Sequence, residues 1–341
     1  MKTNFSAVAV AVASAIILTA CGGGGGSTAS TAPVVPTPPP VVTPPTPASD
    51  LQLTVAAPTY ATGSQELAFF NQYNDFRAKL GLGLLAQNAK LDTADKNHLN
   101  YIVTNSDVDF SAIDPATGRP YFHLESATRA GFTGVTELDR AKFAQYSGVY
   151  VGESGAYGSG NGASAALNDL IGSVYHRAGL MFQFPREMGI AVGTDKFQTM
   201  VITFAYQSSQ QFNASNYFGA YPADKQTNVP LIAARETPNP FPDLAYTDYA
   251  TKTSYPVNVV SEASTTLAVT TFTITEAGQT APIDARLLTK QTDPNKQLAQ
   301  NTAFLVGKAP FKANTTYNVA FTGTVNGANV TKNWSFTTAA Q

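Results

Sequence analysis

The chain contains a single cysteine, Cys21, so its 341 residues must fold without an internal disulfide bond. Cys21 follows an N-terminal segment in which Lys2 precedes an apolar run from Ala7 to Leu18. A positive start followed by a short apolar run with small residues at its end is typical of a secretory signal peptide. The run is too short to span a bilayer as a mature helix. We therefore predict that residues 1–20 are a signal peptide and that the exported remainder is stabilised without disulfides.

The last residues of this segment, Leu18-Thr19-Ala20-Cys21, resemble the bacterial lipobox. That resemblance implies that Cys21 becomes an acylated N-terminus, carrying palmitate or a similar chain, and anchors the protein to a membrane. The alternative is an ordinary cleaved signal peptide followed by a chance cysteine. Gly22 rather than an acidic residue comes next, which by analogy with bacterial sorting favours an outer-membrane lipoprotein facing the periplasm or the cell surface.

Residues 21–50 have the composition of a tether. Five consecutive glycines follow Cys21, and eight of the chain's 21 prolines lie between positions 33 and 47. Such a segment cannot bury a core and favours an extended, polyproline-like chain. We therefore expect residues 21–50 to hold a folded body away from the membrane.

The charge pattern excludes one class of partner. The net charge is −2, and the charged residues are interspersed along the chain. Because a nucleic-acid-binding protein needs a basic face, we expect no nucleic-acid partner. The length beyond the tether is enough for two domains.

The first part of the body combines helical and strand patterns. Apolar residues recur at helical spacing between Ser64 and Leu80, where Ser64 is a plausible N-cap and Gly81 a stop. A second helical pattern contains Leu91, Ala94, His98 and Tyr101, and a third contains Leu167, Leu170, Ile171 and Val174. A strand is predicted over residues 200–206. These patterns predict an α+β fold, in the form of an α-β-α sandwich, over residues 51–235.

After a predicted linker at residues 236–254, the pattern becomes purely β. Tyr317, Val319 and Phe321 alternate with more polar residues, and Asn326-Gly327 is a signal for a type I′ hairpin that returns through Trp334. Short strands separated by turn residues predict a smaller all-β, immunoglobulin-like sandwich over residues 255–341.

Residues that could carry chemistry are concentrated in the first part. Only three histidines occur in the chain: His98, His123 and His176. His123 lies in Phe122-His123-Leu124-Glu125, Glu153 follows Val151-Gly152, and His176 lies in Ser173-Val174-Tyr175-His176-Arg177.

These segments, in this order, resemble the bacterial CAP superfamily (SCP-like), the family of cysteine-rich secretory proteins, venom allergens and plant pathogenesis-related proteins. The matching segments are 71–77, the helix containing His98, 123–125, 131–134, 151–153, 173–177 and 189–193. The resemblance covers about residues 64–207. It implies a central cleft lined by His123, Glu153 and His176, with Glu125 as a substitute for the second family glutamate. Ser154 stands where the family has asparagine.

Taken by themselves, two imidazoles and two carboxylates in one cleft allow three interpretations. They could bind a divalent cation, with zinc favoured over calcium by nitrogen ligands, and such a cation could activate water for hydrolysis. They could instead form a buried hydrogen-bond network that fixes the loops, or a pH-sensitive site, since carboxylates favour a charged histidine.

Three further residues receive separate predictions. His98 lies on an apolar helix face, which favours a hydrogen-bonded core histidine. Arg177 is expected to anchor a loop or carboxylate rather than to bind substrate. Ser173 lies one helical turn from His176, but no aspartate is placed to orient that histidine, so we reject a serine-hydrolase triad.

The sequence therefore favours a lipid-anchored binding module of the cell envelope, whose cleft takes a metal ion or a lipid, glycan or peptide. Two alternatives remain open: a metal-dependent hydrolase of peptide or envelope material, and a structural or adhesive protein that contacts a protein partner through its β-sandwich. Catalysis is the less favoured interpretation because no nucleophile is identifiable.

Overall fold

The computed structural model describes residues 48–156, 162–195 and 198–340. The helices in these ranges are α1 (Gln65–Leu80), α2 (Ala89–Thr104), α3 (Glu137–Phe143), α4 (Ala163–Gly172), α5 (Tyr175–Leu180) and α6 (Tyr246–Lys252), and a 3-10 turn covers Tyr121–His123. The strands are β1 (Ala86–Gln87), β2 (Tyr150–Ala156), β3 (Glu187–Val192), β4 (Met200–Tyr206), β5 (Phe218–Tyr221), β6 (Gln226–Val229), β7 (Val257–Ser261), β8 (Leu267–Glu276), β9 (Ala285–Thr289), β10 (Thr302–Gly307), β11 (Thr316–Val325) and β12 (Ala328–Thr338). The predicted signal peptide, the acylation site at Cys21 and tether residues 21–47 lie outside the described residues.

Helix α1 begins and ends where the sequence predicts. The Ser64 hydroxyl accepts a hydrogen bond from the Leu67 backbone N–H at 3.1 Å, and Gly81 ends the helix with φ 72°. That left-handed conformation carries no steric penalty for glycine. The apolar side chains that α1 buries are Phe69, Phe70, Tyr73, Phe76 and Leu80.

The first sheet has the strand order β1-β3-β4-β2. Strands β1 and β3 are parallel, and the other pairs are antiparallel. The strand predicted at residues 200–206 is confirmed as β4, which lies between β3 and β2 and is buried along most of its length.

Helices cover both faces of this sheet, as the alternating side chains of β4 demonstrate. Ile202 and Phe204 belong to the core formed with α1, α4 and α5. Val201 and Ala205 point to the other face, where they pack with side chains from α2 and α3. The first half is therefore a mixed α+β structure in which the sheet separates two groups of helices.

The second half consists of two four-stranded sheets, ordered β5-β7-β10-β9 and β6-β12-β11-β8. Their strand pairs are antiparallel, except for the parallel pair β6 and β12. The predicted hairpin at Asn326-Gly327 is confirmed, since both residues have positive φ, 49° and 82°, and Val325 pairs with Ala328 across the turn.

Two strands of these sheets come from an earlier part of the chain than the predicted boundary. β5 pairs with β7 and β6 pairs with β12, although both precede the linker predicted at residues 236–254. Each has only four residues, which is too short for an alternating pattern to be recognised. The division between residues 51–235 and 255–341 therefore does not coincide with the division between the sheets.

Residues of the predicted linker are packed against the rest of the protein. The buried Glu236 carboxylate accepts hydrogen bonds from the backbone N–H groups of Val174 and Tyr175, at 2.6 and 2.7 Å. Tyr249 in α6 is fully buried. The described residues all belong to one compact unit, Thr46–Gln341.

Across residues 48–156, 162–195 and 198–340, no helix has both the length and the apolar character needed to cross a bilayer.

Candidate functional site

Three of the four predicted cleft residues lie together on the α2 and α3 side of the first sheet. His123 ends the 3-10 turn, Glu125 follows it, and Glu153 lies in β2. His98 of α2 and Arg140 of α3 complete the group. These five residues are named the His–Glu network below.

Glu125 is held by the loop that faces it. Its Oε2 atom accepts hydrogen bonds from the backbone N–H groups of Thr133 (2.6 Å) and Gly134 (3.2 Å). A Cβ atom on Gly134 would lie 2.7 Å from the Arg140 backbone nitrogen and 2.6 Å from the Asp139 Cβ atom. Only glycine therefore allows α3 to approach the loop this closely.

His98 is completely buried, and both of its ring nitrogens face acceptors. Nδ1 lies 2.9 Å from Glu125 Oε1, and Nε2 lies 2.7 Å from the carbonyl oxygen of Phe122. A carbonyl oxygen only accepts, so Nε2 donates to Phe122, while Nδ1 pairs with the carboxyl group of Glu125. The prediction of a hydrogen-bonded core histidine is confirmed, and its partners place it inside the site.

Glu153 is the centre of the network. Its Oε2 atom accepts from Arg140 Nη2 at 2.5 Å, and its Oε1 atom lies 2.9 Å from His123 Nδ1 and 3.7 Å from His98 Nε2. Burial alone would raise the pKa of this carboxyl group, but the charges of Arg140 and His98 and the hydrogen bond with His123 outweigh it. The pKa of Glu153 is therefore held well below its ordinary value, and the group is ionised.

Asp95, one turn before His98 on α2, adds a third buried carboxyl group. Its Oδ2 atom accepts from the backbone N–H and the hydroxyl of Thr203, both at 3.2 Å. Its Oδ1 atom has no hydrogen-bond partner among the described residues. Burial, followed by the negative charges of Glu153 and Asp92, raises the pKa of Asp95 well above its ordinary value.

Arg140 lies beside both glutamates, 2.5 Å from Glu153 Oε2 and 4.0 Å from Glu125 Oε1. His123 differs from the others because 22% of its side chain is exposed, whereas the side chain of Glu153 is 1% exposed. The network thus forms a rigid, desolvated base beneath a single accessible imidazole.

His176, the fourth predicted cleft residue, does not join this group. It lies on α5, whose neighbours Val174 and Leu180 pack on the opposite face of the sheet. Its Nδ1 atom lies 3.2 Å from the Ser173 hydroxyl and 3.5 Å from Glu236 Oε2. The single cleft predicted from the sequence is therefore divided between two places.

The surroundings of Ser173 agree with rejection of a hydrolase triad. Ser173 is fully buried, and its hydroxyl donates to the Leu170 carbonyl oxygen at 2.9 Å. The Ser173 hydroxyl and the Glu236 carboxylate both lie near Nδ1 of His176. A catalytic triad instead has the serine at one ring nitrogen of the histidine and the carboxylate at the other.

Arg177 holds the loop before β7, in agreement with the prediction that it anchors a loop. Its Nη1 atom donates to the Pro256 carbonyl oxygen at 2.6 Å and to Asn258 Oδ1 at 3.1 Å. The guanidinium carbon lies 5.0 Å from the ring centroid of Tyr221 and 4.6 Å from that of Tyr255. Arg177 is thus a buried structural residue.

The donor set does not fit a divalent cation. Both nitrogens of His98 are engaged, both oxygens of Glu153 are engaged, and Arg140 supplies positive charge beside the carboxylates. No group of three or more His, Cys, Asp or Glu side chains in the described ranges could hold a metal ion. Of the three interpretations from the sequence, the hydrogen-bond network matches the contacts best.

A groove of about 640 Å³ lies beside the network. Glu125 is among its lining residues, as are the apolar Tyr101, Phe110, Tyr121 and Leu124. Arg129 lies at this groove and pairs with Asp107 at 2.9 Å. A volume in the range of roughly 300–1,000 Å³ is typical of small-ligand sites.

Sequence reasoning missed Arg140 and Asp95 as members of the site. Asp95 lies three residues before His98, so the two share a face of α2, and that spacing could have identified it. Nothing in the sequence predicts that Arg140 is buried in the site, because charged residues on a short helix are ordinarily exposed.

No family model and no curated protein matches this chain. One solved structure that resembles it in part is an outer surface protein of Borrelia burgdorferi, with 17% identity and a TM-score of 0.33 over 44% of this chain and 97% of that protein. Another is an extracellular protein containing an SCP domain from Bacillus anthracis, with 18% identity and a TM-score of 0.33 over 45% of each chain. Similarity at this level assigns neither a shared fold nor a shared function.

Proposed function

We propose that this protein is a binding module of the CAP type, displayed at the cell envelope, and that the groove beside the His–Glu network holds the apolar part of a small lipid, glycan or peptide. The observation that carries the proposal is the groove itself, whose apolar side chains lie beside polar ones such as Asp114 and Arg129. The ordered CAP-like segments of the sequence support the same function.

The internal satisfaction of the network favours binding over catalysis. Glu125, Glu153, His98 and Arg140 already have partners within the protein, so none of these four is left to act as a nucleophile or to hold a metal-bound water. A network of this kind instead fixes the groove wall before the ligand arrives, which lowers the entropy cost of binding. Nothing in the described contacts favours the metal-dependent hydrolase.

The groove can be tested with an apolar fluorescent probe, dansylundecanoic acid. Val108 lines the groove and is partly buried, so Val108→Lys places a charge against the apolar wall. We expect saturable fluorescence with the unmodified protein and at least about tenfold weaker binding by Val108→Lys, which corresponds to about 1.4 kcal/mol.

Val149→Lys is the matched control, because Val149 is 64% exposed and is not among the residues that line this groove. It should bind the probe like the unmodified protein. Equal binding by both lysine variants, or no saturable binding by any of the three proteins, would show that the groove is not the site.

The membrane anchor belongs to the same proposal. Cys21→Ser removes the only thiol of the chain and with it the proposed acylation site. We expect the full-length variant to move from the membrane fraction to the soluble fraction and to lose incorporation of radiolabelled palmitate. Continued membrane association without label would mean that the anchor is not a lipid on Cys21.

A further inference from the structure

A second cleft, of about 330 Å³, lies where α5 and the loop that follows it meet the β-sandwich. It is formed from both halves of the protein: Phe182 and Phe184 come from the loop, and Asn301 and Gln297 come from the sandwich side. Clefts at such junctions are frequent places for small ligands. None of the predicted cleft residues lines it.

One wall of this second cleft continues into an aromatic surface. The rings of Phe182 and Phe184 stack with centroids 5.3 Å apart. Phe184 packs edge-on against Tyr150 at 5.0 Å, and Tyr150 stacks on Tyr206 at 5.3 Å with an interplanar angle of 8°. Phe182 is 37% exposed, so the rings present a partly open, rigid apolar face.

The polar groups of this cleft are uncharged. Every lining residue is apolar, aromatic, an amide or a hydroxyl residue, with no charged side chain among them. Asn301 uses its Nδ2 atom to donate to the Ser261 carbonyl oxygen at 2.9 Å, and no described residue donates to its Oδ1 atom. Gln297 at the rim is exposed. The cleft therefore offers aromatic faces and amide groups, and no charge that would attract an ion.

A saccharide matches this combination. Pyranose rings present C–H groups on one face, which pack against aromatic rings, and hydroxyl or acetamido groups at their edges, which pair with side-chain amides. The amide nitrogens of Asn301 and Gln297 already donate to the Ser261 and Asn295 carbonyl oxygens, so ligand hydroxyl groups would donate to the side-chain oxygens of these two residues. An anionic ligand would find no cation here, and a simple acyl chain would make no use of those oxygens. From these contacts we infer that the junction cleft is a binding site for an uncharged saccharide.

Gly179 provides a sharp way to block the cleft. It lies in α5 and lines the cleft, and a Cβ atom built on it meets nothing within 4 Å. Gly179→Leu should therefore fill the cleft without displacing a neighbour, and it replaces a poor helix former with a good one. Ala78→Leu, at an exposed position of α1, adds a leucine at an exposed helix position that does not line the cleft.

Phe182→Ala removes the partly exposed ring from this aromatic surface. Phe143→Ala is its matched control, since Phe143 is 62% exposed and does not line the cleft. All four variants keep the protein at full length and leave the groove beside the His–Glu network unaltered.

The experiment is calorimetric titration with three uncharged trisaccharides, N-acetylchitotriose, cellotriose and maltotriose, at millimolar concentrations. We expect saturable binding of at least one by the unmodified protein, Ala78→Leu and Phe143→Ala. We expect Gly179→Leu and Phe182→Ala to bind it at least about tenfold more weakly. Thermal melts should show all five proteins folded.

Three outcomes would overturn the inference: no binding of any trisaccharide by the unmodified protein, unchanged affinity in Gly179→Leu, or loss of dansylundecanoic acid binding in Gly179→Leu without saccharide binding. The last would mean that the cleft takes an acyl chain. The groove of the proposed function is tested with a different variant, Val108→Lys. A negative result for the cleft therefore leaves the test of the groove intact, and the reverse also holds.

Discussion

The buried carboxyl groups around His98 have opposite pKa shifts. Arg140, His98 and His123 lower the pKa of Glu153 against the effect of burial, whereas burial and the negative charges of Glu153 and Asp92 raise the pKa of Asp95. Groups whose pKa values shift in opposite directions contribute to stability with opposite pH dependence. Each leads to a prediction for a single substitution.

Glu153→Gln should lower the free energy of unfolding by about 3 kcal/mol at pH 7, because it leaves the buried Arg140 without its carboxylate. The folded-state pKa of Glu153 is lowered, so its contribution is fully present above the ordinary pKa of 4.5 and is lost as the pH falls below it. The deficit of the variant should therefore shrink in acid. Urea unfolding at pH 7 and pH 4 measures this, with the exposed Asp107→Asn as a control that changes little.

Asp95→Asn should raise the free energy of unfolding at pH 7, because burial and nearby negative charges disfavour an ionised group at this position. The folded-state pKa of Asp95 is raised, so the protein loses stability as the pH rises above 3.8 until the folded group ionises. The asparagine removes that loss and can still accept from Thr203. The advantage of the variant should disappear in acid, and a destabilised variant at pH 7 would contradict a raised pKa of Asp95.

At the scale of secondary structure, α5 joins the two halves of the protein. Glu236 caps its first turn, Arg177 projects into a cage that includes Tyr221 and Tyr255, and the Tyr175 hydroxyl donates to Asp293 at 2.5 Å. Tyr221 lies in β5, and the other partners, Glu236, Tyr255 and Asp293, lie in loops between the elements. The helix has only six residues, so its stability must come from these contacts rather than from its own hydrogen bonds.

Arg177→Lys should therefore lower the free energy of unfolding by about 2–3 kcal/mol, because lysine cannot reproduce the planar hydrogen bonds inside the aromatic cage. Arg286 is a matched control: its guanidinium carbon lies 4.0 Å from the Phe241 ring centroid, but it pairs with the exposed Asp243. Arg286→Lys should cost less than about 1 kcal/mol. Equal losses in the two variants, measured by urea unfolding, would contradict the role of Arg177.

Long or well-capped elements could be predicted from the sequence, and short ones could not. Ser64 and Gly81 mark the ends of α1 through local hydrogen bonding, and Asn326-Gly327 forms the predicted turn through its own backbone preferences. The predicted third helix ends at Gly172, and Val174 lies between it and α5, a break that helical spacing does not reveal. β5, β6 and the packing of Glu236 depend on partners distant in sequence, which no local pattern records.

In the candidate site, too, residues could be predicted where a local segment marks them, and contacts between distant segments could not. His123, Glu125 and Glu153 were identified because they lie in segments with a recognisable order, and the structure brings them together. His176 was assigned to the same cleft by that order, but its helix packs on the other face of the sheet. Arg140 enters the site only because Gly134 lets α3 approach closely.

At the scale of the whole molecule, the described residues belong to one compact unit. Tyr221 of β5 and Tyr255 enclose Arg177 from the first half, and Gln183 donates to the Ser261 carbonyl oxygen at 2.7 Å. Unfolding either half would expose the buried guanidinium and the aromatic rings around it. The two halves should therefore be thermodynamically coupled.

We expect the two halves to unfold in a single transition. Trp334 in β12 is the only tryptophan, so its fluorescence reports the sandwich, while far-ultraviolet circular dichroism is dominated by helices α1 to α5 of the first half. The two melting curves should coincide, as a two-state unit requires. Arg177→Lys should lower both midpoints together, and two separate transitions would mean that the halves are independent.

The parallel pairing of β6 with β12 also fixes an order of events in time. β6 ends at Val229, whereas β12 begins at Ala328. At roughly 5–20 residues per second of synthesis, β12 leaves the ribosome about 5–20 s after β6. During that interval β6 has no strand to pair with, so this sheet cannot close on a half-made chain. A nascent polypeptide of this design thus stays incompletely folded until its last strands are made.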